Sequence, residues 1–208
     1  MPKRSKQARQ ALPKEHWTRN QAAPPGAPMV VTDAGHGVGW AVLRRTLAGR
    51  DGPADLREFM WRKLTHGRGP GFLNDWYGTA THTVMVPADA PSDLLDAKRL
   101  AERYEDDAFP GIKDLACVAK IRIGKADELI REWSRIQRFA SVEFCEKRNM
   151  AVVAVLHIPA RSGVRRDAHC HLIAPARELG RDGFGAFLRP FATDQGGVEL
   201  ARAWAAWP

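Results

Sequence analysis

The chain has 208 residues, with 32 Lys and Arg against 24 Asp and Glu, which gives a formal net charge of +8 at pH 7. This length suits one domain with an adequate core, and no apolar run approaches the roughly 20 residues of a membrane-spanning helix. Three scattered cysteines argue against a disulfide framework, and no apolar segment follows the basic N-terminus, so we expect a cytoplasmic protein. The basic balance favours nucleic acid as a partner, although a solvated basic surface without a partner is the alternative.

The N-terminal part of the chain predicts an arm, a strand and a helix. Residues 1–27 are basic and then rich in Pro and Ala, which indicates a flexible basic arm, and residues 28–208 are expected to form a single domain. Residues 28–32 predict a short strand, 35–39 a Gly-rich turn, and the following residues to Leu47 a helix. The turn lacks the Lys-Ser/Thr pair of a phosphate-binding loop, so we interpret it as a plain turn.

The remaining elements alternate between helices and strands. The patterns predict helices over 54–64, 91–107, 125–148 and 196–206, a loop over 65–78, and strands over 79–86, 115–123, 152–156 and 168–174. The strand at 152–156 is apolar without alternation, which indicates burial on both faces, whereas Lys120 and Arg122 share one face of the strand at 115–123. The order of elements predicts an α+β domain, an antiparallel central sheet flanked by helices.

A group of three histidines is the strongest chemical signal. His169 and His171 are two residues apart in an apolar run, so on a strand they point from the same face. His157 ends the preceding apolar run, and antiparallel pairing of the two runs would bring three imidazoles together. This arrangement predicts a divalent-metal site with His157, His169 and His171 as ligands. Cys170 points to the opposite face and is expected to be a core residue.

The loop between the two histidine-bearing runs is basic. It carries Arg161, Arg165 and Arg166, which we expect to contact phosphates beside the metal. Asp167 precedes the first histidine of the second run. It would either orient a ligand or cap the loop.

Several blocks of sequence resemble one known group of proteins. The blocks are Val-Pro-Ala-Asp-Ala-Pro-Ser-Asp-Leu-Leu at 86–95, Ile-Arg-Ile at 121–123, Glu-Phe-Cys-Glu-Lys-Arg-Asn-Met-Ala-Val at 143–152, the histidines with Asp167, Arg-Glu-Leu at 177–179, and Gly-Phe-Gly at 183–185. In order and spacing, residues 79–204 resemble the HUH endonucleases, and more closely the MobA/MobL family of plasmid mobilisation relaxases.

The resemblance implies metal-dependent binding and nicking of single-stranded DNA at a plasmid transfer origin. In this reaction a tyrosine hydroxyl attacks a phosphodiester, forms a 5′-phosphotyrosine and releases a 3′-hydroxyl. The three histidines would hold Mg²⁺ or Mn²⁺, or Zn²⁺ in isolated protein, and the metal would polarise the scissile phosphate. The expected partners are single-stranded DNA and other mobilisation proteins, with no membrane involved.

The chain departs from the family at the nucleophile. The family's tyrosine lies on a helix after the first strand, but the matching residues 38–49 contain none. The chain has only Tyr77, on a Gly-flanked loop, and Tyr104, on a charged helix where a structural role is expected. Tyr77 is therefore the candidate catalytic residue. Three functions stay open: nicking through Tyr77, hydrolysis by a metal-activated water, and DNA binding by a degenerate relaxase.

Overall fold

The computed structural model describes residues 32–45, 55–65, 80–109, 111–124, 126–163 and 165–208. The strands and α-helices of these residues are β1 (Thr32–Gly35), β2 (Val38–Arg44), α1 (Leu56–Leu64), β3 (Thr81–Met85), α2 (Ala97–Asp106), β4 (Asp114–Arg122), α3 (Leu129–Ala140), β5 (Val152–His157), β6 (His169–Pro175), β7 (Arg177–Gly180), β8 (Gly183–Phe187) and α4 (Asp194–Ala205). The arm predicted over 1–27 and most of the loop predicted over 65–78 lie outside the described residues. Among the described helices, none has the length and apolar character needed to cross a membrane.

Six strands form one antiparallel sheet in the order β1-β2-β4-β6-β5-β3, and β7 and β8 form a separate hairpin. Helices pack on both faces of the large sheet. The predicted α+β class, with an antiparallel central sheet flanked by helices, is confirmed.

The sheet separates two apolar cores because its side chains alternate between faces. On one face, α1 and α2 pack against strand residues that include Val155 and Ile173. On the other face, α3 and α4 pack against residues that include Ala154, Cys170 and Leu172. The apolar run at 152–156 is buried throughout, as predicted for an interior strand.

The helix predicted up to Leu47 is wrong where the structure describes it, because residues 38–44 form β2. His36 and Gly37 have φ of 52° and 76°, the left-handed values that a tight hairpin turn requires. β2 then pairs with β4 along its whole length and buries Trp40 completely. The β1–β2 hairpin thus satisfies backbone groups through a partner strand, which a local pattern does not reveal.

Other elements follow the prediction with local changes. The helix predicted over 91–107 is interrupted at Asp96, whose backbone is extended. Its carboxylate accepts a hydrogen bond of 2.9 Å from the backbone N–H of Arg99 and so caps the N-terminus of α2. The helix predicted over 125–148 ends in a π-helical segment, Ser141–Glu146. The β7–β8 hairpin has no counterpart in the prediction.

Candidate metal centre

The register of β5 against β6 brings the three histidines together. His157 lies opposite His169, and Val155 lies opposite His171. Residues directly opposite one another in antiparallel strands point to the same face, so the three imidazoles share the face covered by α1 and α2. Their ring centroids are 4.9–5.4 Å apart, and one nitrogen of each ring lies within 4.8 Å of one nitrogen of the others. The structure therefore places the three predicted ligands within reach of a single ion.

Backbone carbonyls orient two of the rings. Nε2 of His157 lies 2.8 Å from the carbonyl oxygen of Lys63, in the last turn of α1, and Nδ1 of His169 lies 3.1 Å from the carbonyl oxygen of Asp167. A ring nitrogen facing a carbonyl must be the N–H donor, which puts the lone pair of a neutral imidazole on the other nitrogen. These contacts thus assign Nδ1 of His157 and Nε2 of His169 as the nitrogens that would bind an ion.

The third ring supplies the test of whether a metal fits. His171 is 8% exposed, and its Nδ1 is buried without a hydrogen-bond partner among the described residues. Leaving a buried polar atom unsatisfied costs about 1–3 kcal/mol. An ion bound by this ring would use a neutral imidazole that the fold has already desolvated. The donor set therefore fits a divalent metal.

Burial and nearby cations keep two of the three rings, His169 and His171, neutral. The pKa of His169 lies below its ordinary value, chiefly because of burial and further because of Lys120 and Lys63. The pKa of His171 lies well below its ordinary value for the same reasons, with burial again the largest. Only neutral imidazole coordinates a metal, so both rings are in the ligating form at neutral pH.

The basic loop residues of the prediction divide into two groups. Arg165 and Arg166 are exposed and line a cleft that also contains His169 and Asp167. Arg161 is exposed in a short 3-10 turn, Pro159–Ser162, and lies outside the described lining of that cleft. The contact from Asp167 to the histidine comes from its backbone carbonyl.

Two further basic residues at the site were not predicted as such. Lys120 lies opposite His171 and Arg122 opposite His169, because β4 pairs with β6 on the side away from β5. The alternation in β4 indicated that Lys120 and Arg122 share a face, but nothing local identified β6 as the neighbouring strand.

The remaining candidate residues lie away from the histidine cluster or outside the described residues. Tyr77, the candidate nucleophile, lies outside the described residues. Tyr104 is completely buried in α2, where burial raises the pKa of its hydroxyl far above the ordinary value, as expected of a structural residue. Cys170 is buried on the opposite face of the sheet, as predicted. Glu143, which begins one of the blocks that resemble the relaxases, binds Lys147 and Arg148 and is not part of the histidine cluster.

Comparison with known proteins supports the fold. The sequence matches no protein-family model and no curated protein. A solved structure from a study of the molecular basis of vancomycin resistance transfer in Staphylococcus aureus is similar to this chain, with a TM-score of 0.54 and 14% sequence identity. The match covers 79% of this chain and 88% of that one. At this identity the likeness establishes a shared fold. In this chain, the three-histidine cluster lies on that fold.

Proposed function

We propose that this chain is a relaxase of the MobA/MobL type, which binds and nicks single-stranded DNA at a plasmid transfer origin in a metal-dependent reaction. The observation that carries the proposal is the convergence of His157, His169 and His171 beside a basic cleft. The structural likeness to a protein studied for resistance transfer adds support. The cytoplasm suits such an activity, and the three free, buried cysteines suit a reducing compartment.

In this proposal each part of the site has a separate task. The three imidazoles hold a divalent ion, which when bound supplies Lewis-acid polarisation of a phosphodiester oxygen. Arg165 and Arg166 bind neighbouring phosphates of the strand, and Arg161 binds a phosphate further along the loop. The carbonyls of Lys63 and Asp167 hold two of the rings in their ligating orientation. Other mobilisation proteins are proposed as further partners.

The covalent step is assigned to Tyr77. Its hydroxyl oxygen would bond to phosphorus while the bond from phosphorus to the 3′ oxygen breaks, so the chain becomes linked to the 5′ end of one fragment. The hydroxyl proton leaves Tyr77, and the departing oxygen takes up a proton to become a 3′-hydroxyl.

The missing upstream tyrosine favours a second candidate function. Where the relaxases are expected to carry their nucleophile, residues 38–44 form β2 and contain no tyrosine. If Tyr77 does not reach the phosphate, a water molecule would be the nucleophile, and the chain would be a metal-dependent nuclease. A chain in which neither Tyr77 nor a water molecule attacks the phosphate would only bind DNA.

The metal is proposed to be Mg²⁺ or Mn²⁺ in function, with Zn²⁺ in isolated protein. Three imidazoles form a nitrogen-only donor set, which by affinity favours Zn²⁺ over the two ions that prefer oxygen ligands. Availability in the cell would then decide which ion is bound. Metal analysis of the purified chain, with and without His169→Ala, tests the site. Unchanged metal content in the variant would contradict the ligand assignment.

The nicking reaction has a direct test. A pool of single strands labelled at the 3′ end is incubated with the chain and Mn²⁺, because the labelled fragment is the one that would become attached to Tyr77. We expect a labelled adduct that survives denaturation and disappears in Tyr77→Phe. An adduct that persists in this variant removes Tyr77 as the nucleophile, and cleavage without an adduct indicates attack by water.

A further inference from the structure

Lys120 and Arg122 of β4 lie beside the histidines of β6. Each is the cross-strand neighbour of a histidine, at a Cα separation of roughly 5 Å in such pairs, and each shares the histidine face of the sheet. Arg122 is exposed, and Lys120 is half-buried. Two cations held this close to the imidazoles attract an anion to the same edge of the sheet.

These two residues line both of two adjacent depressions, which together we call the groove. On one side they line the cleft that contains Arg165, Arg166 and His169. On the other side they line a depression formed with the β1–β2 hairpin, including Gly37 and Gly39. The groove therefore crosses β6, β4 and β2 in turn, over about 10 Å at the usual strand spacing.

Glycines keep the hairpin side of the groove low. Gly39 lies opposite Lys120, so any side chain at this position would project from the histidine face into the groove. Gly37 has a φ of 76° and open space around the position a Cβ would take. The floor beside Lys120 is thus bare backbone, over which a strand of sugar and phosphate can lie close.

The charge of the groove is positive. Its lining contains four cations, which are Lys120, Arg122, Arg165 and Arg166, against two carboxylates, Asp33 and Asp167. Asp33 accepts a 2.9 Å hydrogen bond from the backbone N–H of Gly35 and so helps to fix the hairpin turn. The cations extend on both sides of His169, which suits a ligand that carries several phosphates in a row.

We propose that Lys120 and Arg122 bind backbone phosphates of a single nucleic-acid strand, which crosses the sheet from the Arg165–Arg166 side, past the histidines, to Gly39. The inference deepens the proposed function and rests on it for the nature of the ligand. It adds a second set of phosphate contacts on the side of the metal centre opposite the basic loop.

The test is the salt dependence of binding by the full-length chain. A fluorescent 30-nucleotide single strand of mixed sequence is titrated with wild type and with Lys120→Gln/Arg122→Gln at several salt concentrations. Two lost phosphate contacts should reduce the slope of log affinity against log salt by about 1.4, which is about 25-fold in affinity at 0.1 M salt. Arg122→Gln alone should give about half of the slope change, and its exposed position makes a folding defect unexpected.

The matched control is Arg131→Gln/Arg138→Gln. Both arginines are exposed on α3, which packs on the opposite face of the sheet, and the change in net charge is the same. We expect the control pair to leave the slope unchanged. Residues 1–27 are identical in all variants, so their contribution cancels. Metal content and thermal unfolding of each variant verify that the histidine site and the fold are intact.

The outcomes distinguish this inference from the proposed function. A Lys120→Gln/Arg122→Gln variant with the slope of wild type, or of the control pair, would overturn the inference. An equal loss on double-stranded DNA would overturn the assignment to a single strand. If wild type binds metal but no strand, the groove is not a nucleic-acid site. If it binds strands through these residues but never cleaves them, the inference holds and the nicking function fails.

Discussion

Two buried polar clusters in this protein differ in how completely their polar atoms are hydrogen-bonded within the protein. Glu143, 3% exposed, in the π-helical segment after α3, receives hydrogen bonds from Lys147 at 2.5 Å and Arg148 at 2.8 Å. The Arg148 guanidinium also lies over the ring of Phe191, 4.7 Å from its centroid. The histidine cluster, in contrast, holds a buried nitrogen of His171 without a described partner, and the nearby charges that act on this ring include Lys63 and Lys120.

The difference separates a cluster that is satisfied within the protein from one that could bind a metal. The carboxylate of Glu143 is balanced by Lys147 and Arg148, which follow it closely in the chain, so it needs no ligand from outside the protein. The histidine cluster is desolvated and incompletely hydrogen-bonded, which costs stability unless a ligand binds. The burial of their polar groups alone would not distinguish the two clusters. The partners of each buried atom distinguish them.

The largest expected effect is the loss of metal binding in His171→Leu. Loss of residues that merely orient ligands costs 10–100-fold in metal affinity, so removal of a ligand should cost more than about 100-fold. Without metal, the variant should be as stable as wild type or more stable by about 1 kcal/mol, since an unsatisfied buried nitrogen is removed. Metal titration and urea unfolding measure the two effects. His82→Leu, two strands away on the same face, is the matched control and should bind metal normally.

The second effect is stabilisation of the wild type by its ion. A metal that binds only the folded chain should raise the free energy of unfolding by about 2.7 kcal/mol at a hundredfold excess over its Kd. Thermal unfolding with and without Zn²⁺ or Mn²⁺ measures this, and His171→Leu should show no shift. An equal shift in both proteins would mean that the ion binds elsewhere.

The third effect is smaller and concerns the cluster of Glu143, Lys147 and Arg148. Glu143→Gln should lower the free energy of unfolding by about 1–3 kcal/mol at pH 7. Burial raises the pKa of Glu143, but the hydrogen bonds from Lys147 and Arg148 outweigh it and hold the pKa below its ordinary value of 4.5. A lowered pKa in the folded state stabilises the protein above pH 4.5, and this stabilisation is lost as the pH falls through the lowered value.

The difference between wild type and Glu143→Gln should therefore shrink as the pH falls below 4.5. Urea unfolding at pH 7 and at pH 3.5 measures it. A difference that is constant with pH would show that packing, and not the charge of Glu143, stabilises this segment. Metal affinity at pH 7 should be that of wild type.

The smallest effect concerns the opposite face of the same strand. Cys170→Ala should cost about 1 kcal/mol of stability through a small cavity and should leave metal content unchanged. Burial raises the pKa of its thiol far above the ordinary value, so thiol reagents should not modify the folded wild type. Lost metal in this variant would contradict the assignment of the two faces.

The sequence predicted what depends on short-range periodicity. The spacing of His169 and His171 placed them on one face, and the continuous apolar run at 152–156 indicated an interior strand. The pairing of β4 with β6 could not be predicted in this way, because strand order is decided by contacts distant in sequence. Lys120 and Arg122 were therefore recognised as sharing a face but not as neighbours of the histidines. β2 was misassigned for the same reason, since its partner strand decides its conformation.

The imidazole of His157 donates a hydrogen bond to the Lys63 carbonyl in the last turn of α1. The same ring is one of the three candidate metal ligands. Any difference in ion affinity between a docked and a displaced α1 must appear, by the same factor, as an effect of the ion on the docking of α1. Binding of an ion by His157 and the docking of the last turn of α1 would therefore be thermodynamically coupled.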